Sequence, residues 1–251
     1  MASKAHLNQV IASHLIEIRA DEMPDKEIYI FENGEHGEDI LTYRILHERS
    51  NKIARLFVDK GIGKGDTFAI YMRNHPEFVC GMMAGVTIGA IAVPVDPRNK
   101  GERLKFLLNN CKARAVIVSG ECLEDLESVI ADVPTLRFIT VAYQPGQNVA
   151  VSTKYHALNE VMGKDTWKPV EQQIMDVRHP MQIIYTSGTT GDPKGVMIRN
   201  NRTGLFNILN SIVWKYKSDD ILYNGLSLTH GNAQAVTLFP ALSLGIKAVF
   251  S

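Results

Sequence analysis

The sequence predicts an α/β protein in which mostly parallel sheets are covered on both sides by helices. Three observations carry this. Short apolar runs alternate with segments of helical period along nearly the whole chain. Two of those segments repeat their apolar residues at helical spacing: Leu46, Ser50, Ile53, Phe57, and Leu104, Leu107, Leu108, Cys111. The 251 residues, 45% hydrophobic and 22% charged, are ample for a sizeable core and show no repeat or low-complexity tract.

Taken in order, Leu7 to Arg19 is predicted as a helix. Glu27 to Phe31 and Asp39 to Tyr43 follow as two strands turned through Asn33-Gly34. The Leu46 helix should stop near Gly61, and Thr67 to Met72 is a short apolar strand. Phe78 to Val95 carries no charge and has Gly81, Gly85 and Gly89 four apart. That pattern would suit a short membrane span. The favoured reading is a helix started at Pro76, stopped by Gly89, lying close on a sheet by its glycine row, then a buried strand Ile91 to Val95. A helix from Gly101, strands Ala115 to Val118 and Leu136 to Val141, a loop Tyr143 to Val151, and a helix near Tyr155 to Met162 come next. Then follow strand Met181 to Tyr185, strand Gly195 to Ile198, a helix in Asn201 to Tyr216, strand Ile221 to Gly225, and a helix Ala233 to Leu244. Strand Ile246 to Phe250 closes the series, with its sheet partners expected outside the chain. The expected division is a first subdomain over 1–170 and a second beginning at 171–251.

Lys plus Arg equals Asp plus Glu, so the formal net charge is zero. This lacks the basic footprint of a nucleic-acid binder or a polybasic membrane anchor. Any anion site must be built locally. Cys80, Cys111 and Cys122 have neither the even count of a disulfide framework nor metal-ligand spacing, and no signal peptide is seen. The expected setting is a reducing cytoplasm.

One loop stands out. "YTSGTTGDPKGV", residues 185–196, follows an apolar strand. Gly188 and Gly191 allow backbone angles that turn N–H groups inward, a concavity suited to anions. Thr186, Ser187, Thr189 and Thr190 add hydroxyls, Lys194 one full positive charge, and Pro193 a stiff end. A polyphosphate fits this set. The plainer alternative is a hydrophilic hairpin, although turning alone needs far fewer such residues. The Walker pattern is absent, because Lys194 is followed by Gly195. No dinucleotide fingerprint ends the first strand either.

This loop resembles the signature loop of the adenylate-forming superfamily: acyl-CoA synthetases, peptide-synthetase adenylation domains and luciferases. Residues 41–79, "LTYRILHERSNKIARLFVDKGIGKGDTFAIYMRNHPEFV", and 89–118, "GAIAVPVDPRNKGERLKFLLNNCKARAVIV", resemble that family's early units. The likeness runs from about Asp39 onward. It implies the N-terminal part of an acyl-CoA-synthetase-like fold. It also implies a reaction: a small carboxylic acid and ATP give an acyl-adenylate and pyrophosphate, with Mg²⁺ bridging the phosphates, and coenzyme A then displaces AMP. Thr186, Ser187, Gly188, Thr189, Thr190, Gly191 and Lys194 become the phosphate contacts, Thr186 the Mg²⁺ contact, and Thr186, His230 and Lys194 the catalytic residues.

His230, in "LSLTHGNAQAVTLFPAL", is on its own read as an ordinary core or loop histidine. The resemblance places it beside the substrate carboxylate, with Thr229 where the family often has an aromatic residue. Gly231, Asn232 and Gln234 join it as pocket residues, and Gly231-Asn232-Ala233-Gln234 resembles crotonobetaine/carnitine-type CoA ligases. A small or polar acid is expected from those amides, which would equally serve as helix caps. The family's ribose-binding aspartate, hinge and catalytic C-terminal lysine have no counterpart here, so an isolated chain is expected to be inactive. The competing readings are a non-catalytic fragment that binds nucleotide or a partner half, an amino-acid adenylation domain, and an aryl-CoA ligase.

Overall fold

The computed structural model describes residues 8–34, 37–143, 154–186 and 192–251. Among these residues the strands form two sheets. Helix α1 (Ala12–Glu22) precedes β1 (Glu27–Glu32), β2 (Glu38–Thr42) and α2 (Tyr43–Asp59). Then come β3 (Thr67–Tyr71), α3 (Pro76–Ile88), β4 (Ile91–Val95), α4 (Gly101–Asn110), β5 (Ala115–Ser119), α5 (Leu123–Glu127) and β6 (Phe138–Ala142). The short β7 (His156–Ala157) and α6 (Leu158–Met162) lead to β8 (Pro180–Thr186) and β9 (Lys194–Arg199). Helix α7 (Asn201–Leu209) runs into a π turn, Asn210–Trp214, before β10 (Ile221–Asn224). A helical run then joins α8 (Gly231–Ala233), a π turn Gln234–Leu238 and α9 (Phe239–Leu244), and β11 (Lys247–Phe250) ends the series.

The larger sheet has the order β7-β6-β5-β3-β4-β8-β9, parallel except for the antiparallel β8–β9 pair. Its central strands β3, β4 and β5 are apolar on both faces because both are covered, whereas β9 at the edge is exposed. Phe68 and Ile70 of β3 enter a core with α2 and α3. Ala69 and Tyr71 point the other way, to α4 and its Leu104, Leu107 and Leu108.

The glycine row does what its spacing suggests. Helix α3 is buried along its whole length. A Cβ on Gly81 would come within 2.6 Å of Ile117, and one on Gly85 within 2.7 Å of the Phe68 ring. Gly89 takes the left-handed conformation that ends the helix, at φ 75°. Among the described residues, no helix is long and apolar enough to cross a membrane.

The smaller sheet has the order β10-β11-β1-β2. This corrects one expectation. Strand β11 has partners within the chain, lying parallel between β10 and β1. Sheet membership also does not follow residue 170, since β8 and β9 complete the larger sheet while β10 and β11 join β1 and β2. Helix α1 starts later than expected because the Asn8 side chain and carbonyl accept from Val10 and Ile11 in a turn that precedes it. The helix predicted over 201–216 gives way to its π turn and closes at Lys215, which has φ 55°.

Candidate active site

Parallel strands place their carboxyl ends at one edge of a sheet, where α/β proteins bind ligands. Here a cleft of about 590 Å³ opens at the ends of β4 and β8. Its walls include Asp96, Arg98 and Arg103 on one side and Ile184, Tyr185 and Thr186 on the other. Thr229, His230 and Gly231 close it from the small-sheet side. Strands β4 and β8 pair at Ala92 and Gln182, with the cleft beyond that point.

The hairpin of β8 and β9 carries the glycine-rich loop. Thr186 is paired with Lys194 and Tyr185 with Gly195, which fixes the neck of the loop. The Thr186 hydroxyl donates to the Lys194 carbonyl at 3.4 Å. Gly195 is needed for close approach, because a Cβ there would sit 2.8 Å from Ile183. Lys194 is exposed at the first position of β9. Thr186 and Pro193 line the cleft. Ser187, Gly188, Thr189, Thr190 and Gly191 lie outside the described residues.

His230 is brought to this cleft by the turn between β10 and α8. Its Nε2 lies 3.4 Å from Arg98 Nη2 and 3.9 Å from Asp96 Oδ2. The Asp96 carboxylate accepts two side-chain hydrogen bonds from Arg98, at 2.9 and 2.8 Å, and one from the Arg98 backbone at 2.9 Å. Those bonds hold the Asp96 carboxyl below the usual aspartate range, so it stays an anion. The Thr229 hydroxyl donates to the same carboxylate at 3.4 Å and contacts Ser227 at 2.8 Å. A second cavity of about 670 Å³ adjoins the first, sharing Asp96, Arg98 and His230 and reaching Arg73, Asn74 and Lys100.

Two expected pocket residues lie elsewhere. Gln234 is buried, donating to the Leu228 carbonyl at 2.8 Å and accepting from Gln182 at 2.6 Å. It ties β8 to the His230 turn from behind the cleft instead of facing it. Asn232 is exposed and neither lines the cleft nor caps the helix, whose N-cap is His230. Asp96 and Arg98 escaped the sequence reading. Their signal was position alone, just past a fully buried parallel strand.

A mostly parallel sheet with a polar cleft at its strand ends, bordered by Thr186 and Pro193, defines an α/β protein of the kind that binds ligands at its strand ends. The chain belongs to the family of AMP-binding enzymes, whose family model matches residues 16–251. Acetyl-coenzyme A synthetase of Pseudoalteromonas atlantica is 32% identical over 237 residues, covering 88% of this chain and 36% of that protein. Crotonobetaine/carnitine–CoA ligase of Citrobacter koseri is 27% identical, covering 88% of this chain and 42% of the relative. Bacitracin synthase 3 of Bacillus licheniformis is 30% identical over 92% of this chain, which is 3% of that much longer protein. Among solved structures, the anthranilate CoA ligase AuaEII in complex with anthranoyl-AMP superposes with a TM-score of 0.83 at 21% identity. The match covers 95% of this chain and 44% of that one, and shows the acyl-CoA ligase fold. The chain thus spans less than half the length of these relatives.

Proposed function

We propose that this chain supplies the acid-activating cleft of an ATP-dependent acid–thiol ligase. The observation that carries the reading is convergence. The neck of the glycine-rich loop, at Thr186, and His230 border one cleft, although they come from different sheets. In that cleft an oxygen of the acid attacks the α-phosphorus of ATP, and the bond to pyrophosphate breaks. Lys194 and the loop hydroxyls meet charge moving onto the leaving pyrophosphate, the usual electrostatic route to a lower barrier. A coenzyme A thiolate then attacks the acyl carbonyl and AMP leaves.

The residues fit an anionic ligand. Thr186 offers a hydroxyl, Arg98 and Arg103 guanidinium groups, and Lys194 an exposed ammonium beside the rim. Among the described residues no cluster of three or more His, Cys, Asp or Glu could hold a metal ion. Mg²⁺ carried on a polyphosphate needs only one or two protein oxygens, and Thr186 would be one of them. His230 would face the substrate carboxylate, its ring oriented by Asp96 and Arg98.

The acid is proposed to be small or polar. The support now comes from the cleft wall of Asp96, Arg98, Thr229 and His230, because Asn232 and Gln234 do not reach it. Acid-dependent pyrophosphate release by the chain completed with a separately expressed complementary half, using carnitine, crotonobetaine and palmitate, tests this, and a clear preference for palmitate would sink it. The 251-residue chain alone is proposed to bind MgATP weakly and form no acyl-adenylate. Its partial coverage of the relatives supports that reading. Lys194-dependent pyrophosphate exchange by the purified chain would contradict it. The second reading is a nucleotide- or partner-binding module. It gains if the chain binds ATP and no separately expressed complementary half restores turnover.

A further inference from the structure

We propose that Asn74 is a positioning residue that sets the His230 turn against the larger sheet. The proposal rests on the reading of that turn as the carboxylate side of the cleft. Asn74 follows β3 of the larger sheet, whereas the turn of residues 225–230 follows β10 of the smaller one. One Asn74 side chain makes three hydrogen bonds across this junction. Its Nδ2 donates to the main-chain oxygens of Leu226 and Ser251, each at 3.0 Å. Its Oδ1 accepts from the Leu228 N–H at 2.8 Å.

The chemistry selects asparagine. Two main-chain oxygens require a donor and one N–H requires an acceptor, and a primary amide offers both in one plane. Aspartate lacks the donors. Other bonds hold the turn to itself or to its own helix: Asn224 accepts from Leu226 N–H, Ser227 contacts Thr229, and Gln234 reaches the Leu228 carbonyl. Those bonds set its shape. Asn74, the Thr229–Asp96 bond and the Gln182–Gln234 bond to β8 set its place relative to the strand ends where the cleft opens. Asn74 itself lies outside the first cleft and lines the adjoining cavity. It therefore acts through His230 and not on the reacting atoms.

The test compares the unaltered protein with Asn74→Ala and Asn74→Asp by amide hydrogen exchange over residues 225–231. In parallel, pyrophosphate-release kinetics are run on each protein supplemented with a separately expressed complementary half, with acid and MgATP varied separately. In Asn74→Ala, exchange at the Leu228 amide should quicken roughly tenfold while α3 keeps its protection, and KM for the acid should rise with KM for MgATP unchanged. Asn74→Asp guards against a folding defect: it keeps the acceptor for Leu228 but loses both donors, so Leu228 stays protected while the acid KM still rises. Unchanged exchange over 226–230 in a folded Asn74→Ala protein overturns the proposal, as does a parallel rise in both KM values. If the unaltered chain releases no pyrophosphate even with that complementary half added, acid activation fails as a reading. Exchange at Leu228 then decides the anchoring alone, with lost protection supporting it and retained protection overturning it.

Discussion

Gln182 and Gln234 share a buried 2.6 Å hydrogen bond that joins β8 to the helical run behind His230. Gln234 passes the connection on to the Leu228 carbonyl. The strand that carries the glycine-rich loop and the turn that carries His230 are thus linked by two side-chain amides.

Replacing one member of such a chain leaves its partners buried and unbonded, which costs more than the bond itself contributes. Gln234→Ala should destabilise the protein by about 2–4 kcal/mol, read by urea unfolding. The double variant Gln182→Leu/Gln234→Leu should recover part of that loss, since it removes the stranded Gln182 amide and leaves only the Leu228 carbonyl unbonded. A Gln234→Ala protein as stable as its parent would contradict the buried linkage.

The glycine row gives a graded prediction. At Gly81 an added methyl meets only the far end of the Ile117 side chain, not backbone or a ring. At Gly85 it meets the Phe68 ring and lies 3.1 Å from the Ala90 carbonyl, neither of which yields readily. Gly85→Ala should therefore cost about 1–3 kcal/mol, and Gly81→Ala clearly less. Thermal midpoints of the two variants check the order.

At the loop, Lys194→Ala should weaken MgATP binding by roughly ten- to a hundredfold, the scale of a charged hydrogen bond. Lys194→Arg should recover part of it, because charge is kept and geometry is not. Titration calorimetry reads both. Equal affinity for all three proteins would remove Lys194 from the phosphate site.

The start of α3 predicts a pH dependence. His75 caps this helix, its Nδ1 accepting from the Glu77 N–H at 3.1 Å. Burial, with help from the Arg49 charge and against that of Asp39, brings the His75 pKa down from 6.5 to about 4. Between those values the unfolded chain binds the proton that the folded one refuses. The His75 contribution is therefore fully present above pH 6.5 and lost as pH falls toward 4, by up to about 3 kcal/mol. Glu77, raised mainly by burial and paired with Arg49 at 3.5 Å, acts in the opposite sense. His75→Asn keeps a capping side chain without the titration. Its urea stability should fall less than the parent's between pH 7 and pH 4.5, and parallel curves would refute the assignment.

Local signals in the sequence settled most elements. The spacing of Leu46, Ser50, Ile53 and Phe57 marked α2, and Pro76 with Gly89 bounded α3. The run Ile91 to Val95 is β4 as read. These features are legible because helix period, capping and chain stiffness act over a few residues. Thr186 and His230 were singled out through the resemblance of their motifs, and both border the cleft.

What tertiary structure alone decided is which distant segments meet. Residues 171–251 divide between two sheets, and β11 enters between β1 and β10. Asp96, Arg98 and Asn74 converge on the His230 turn from the ends of β4 and β3. Gln234, which the resemblance of its motif placed on the cleft wall, is turned inward because Gln182 and the Leu228 carbonyl supply its hydrogen bonds there. Sequence periodicity tells a residue which face of its own element it occupies. What lies opposite that face depends on strand order, and strand order is set by long-range packing that no local pattern encodes.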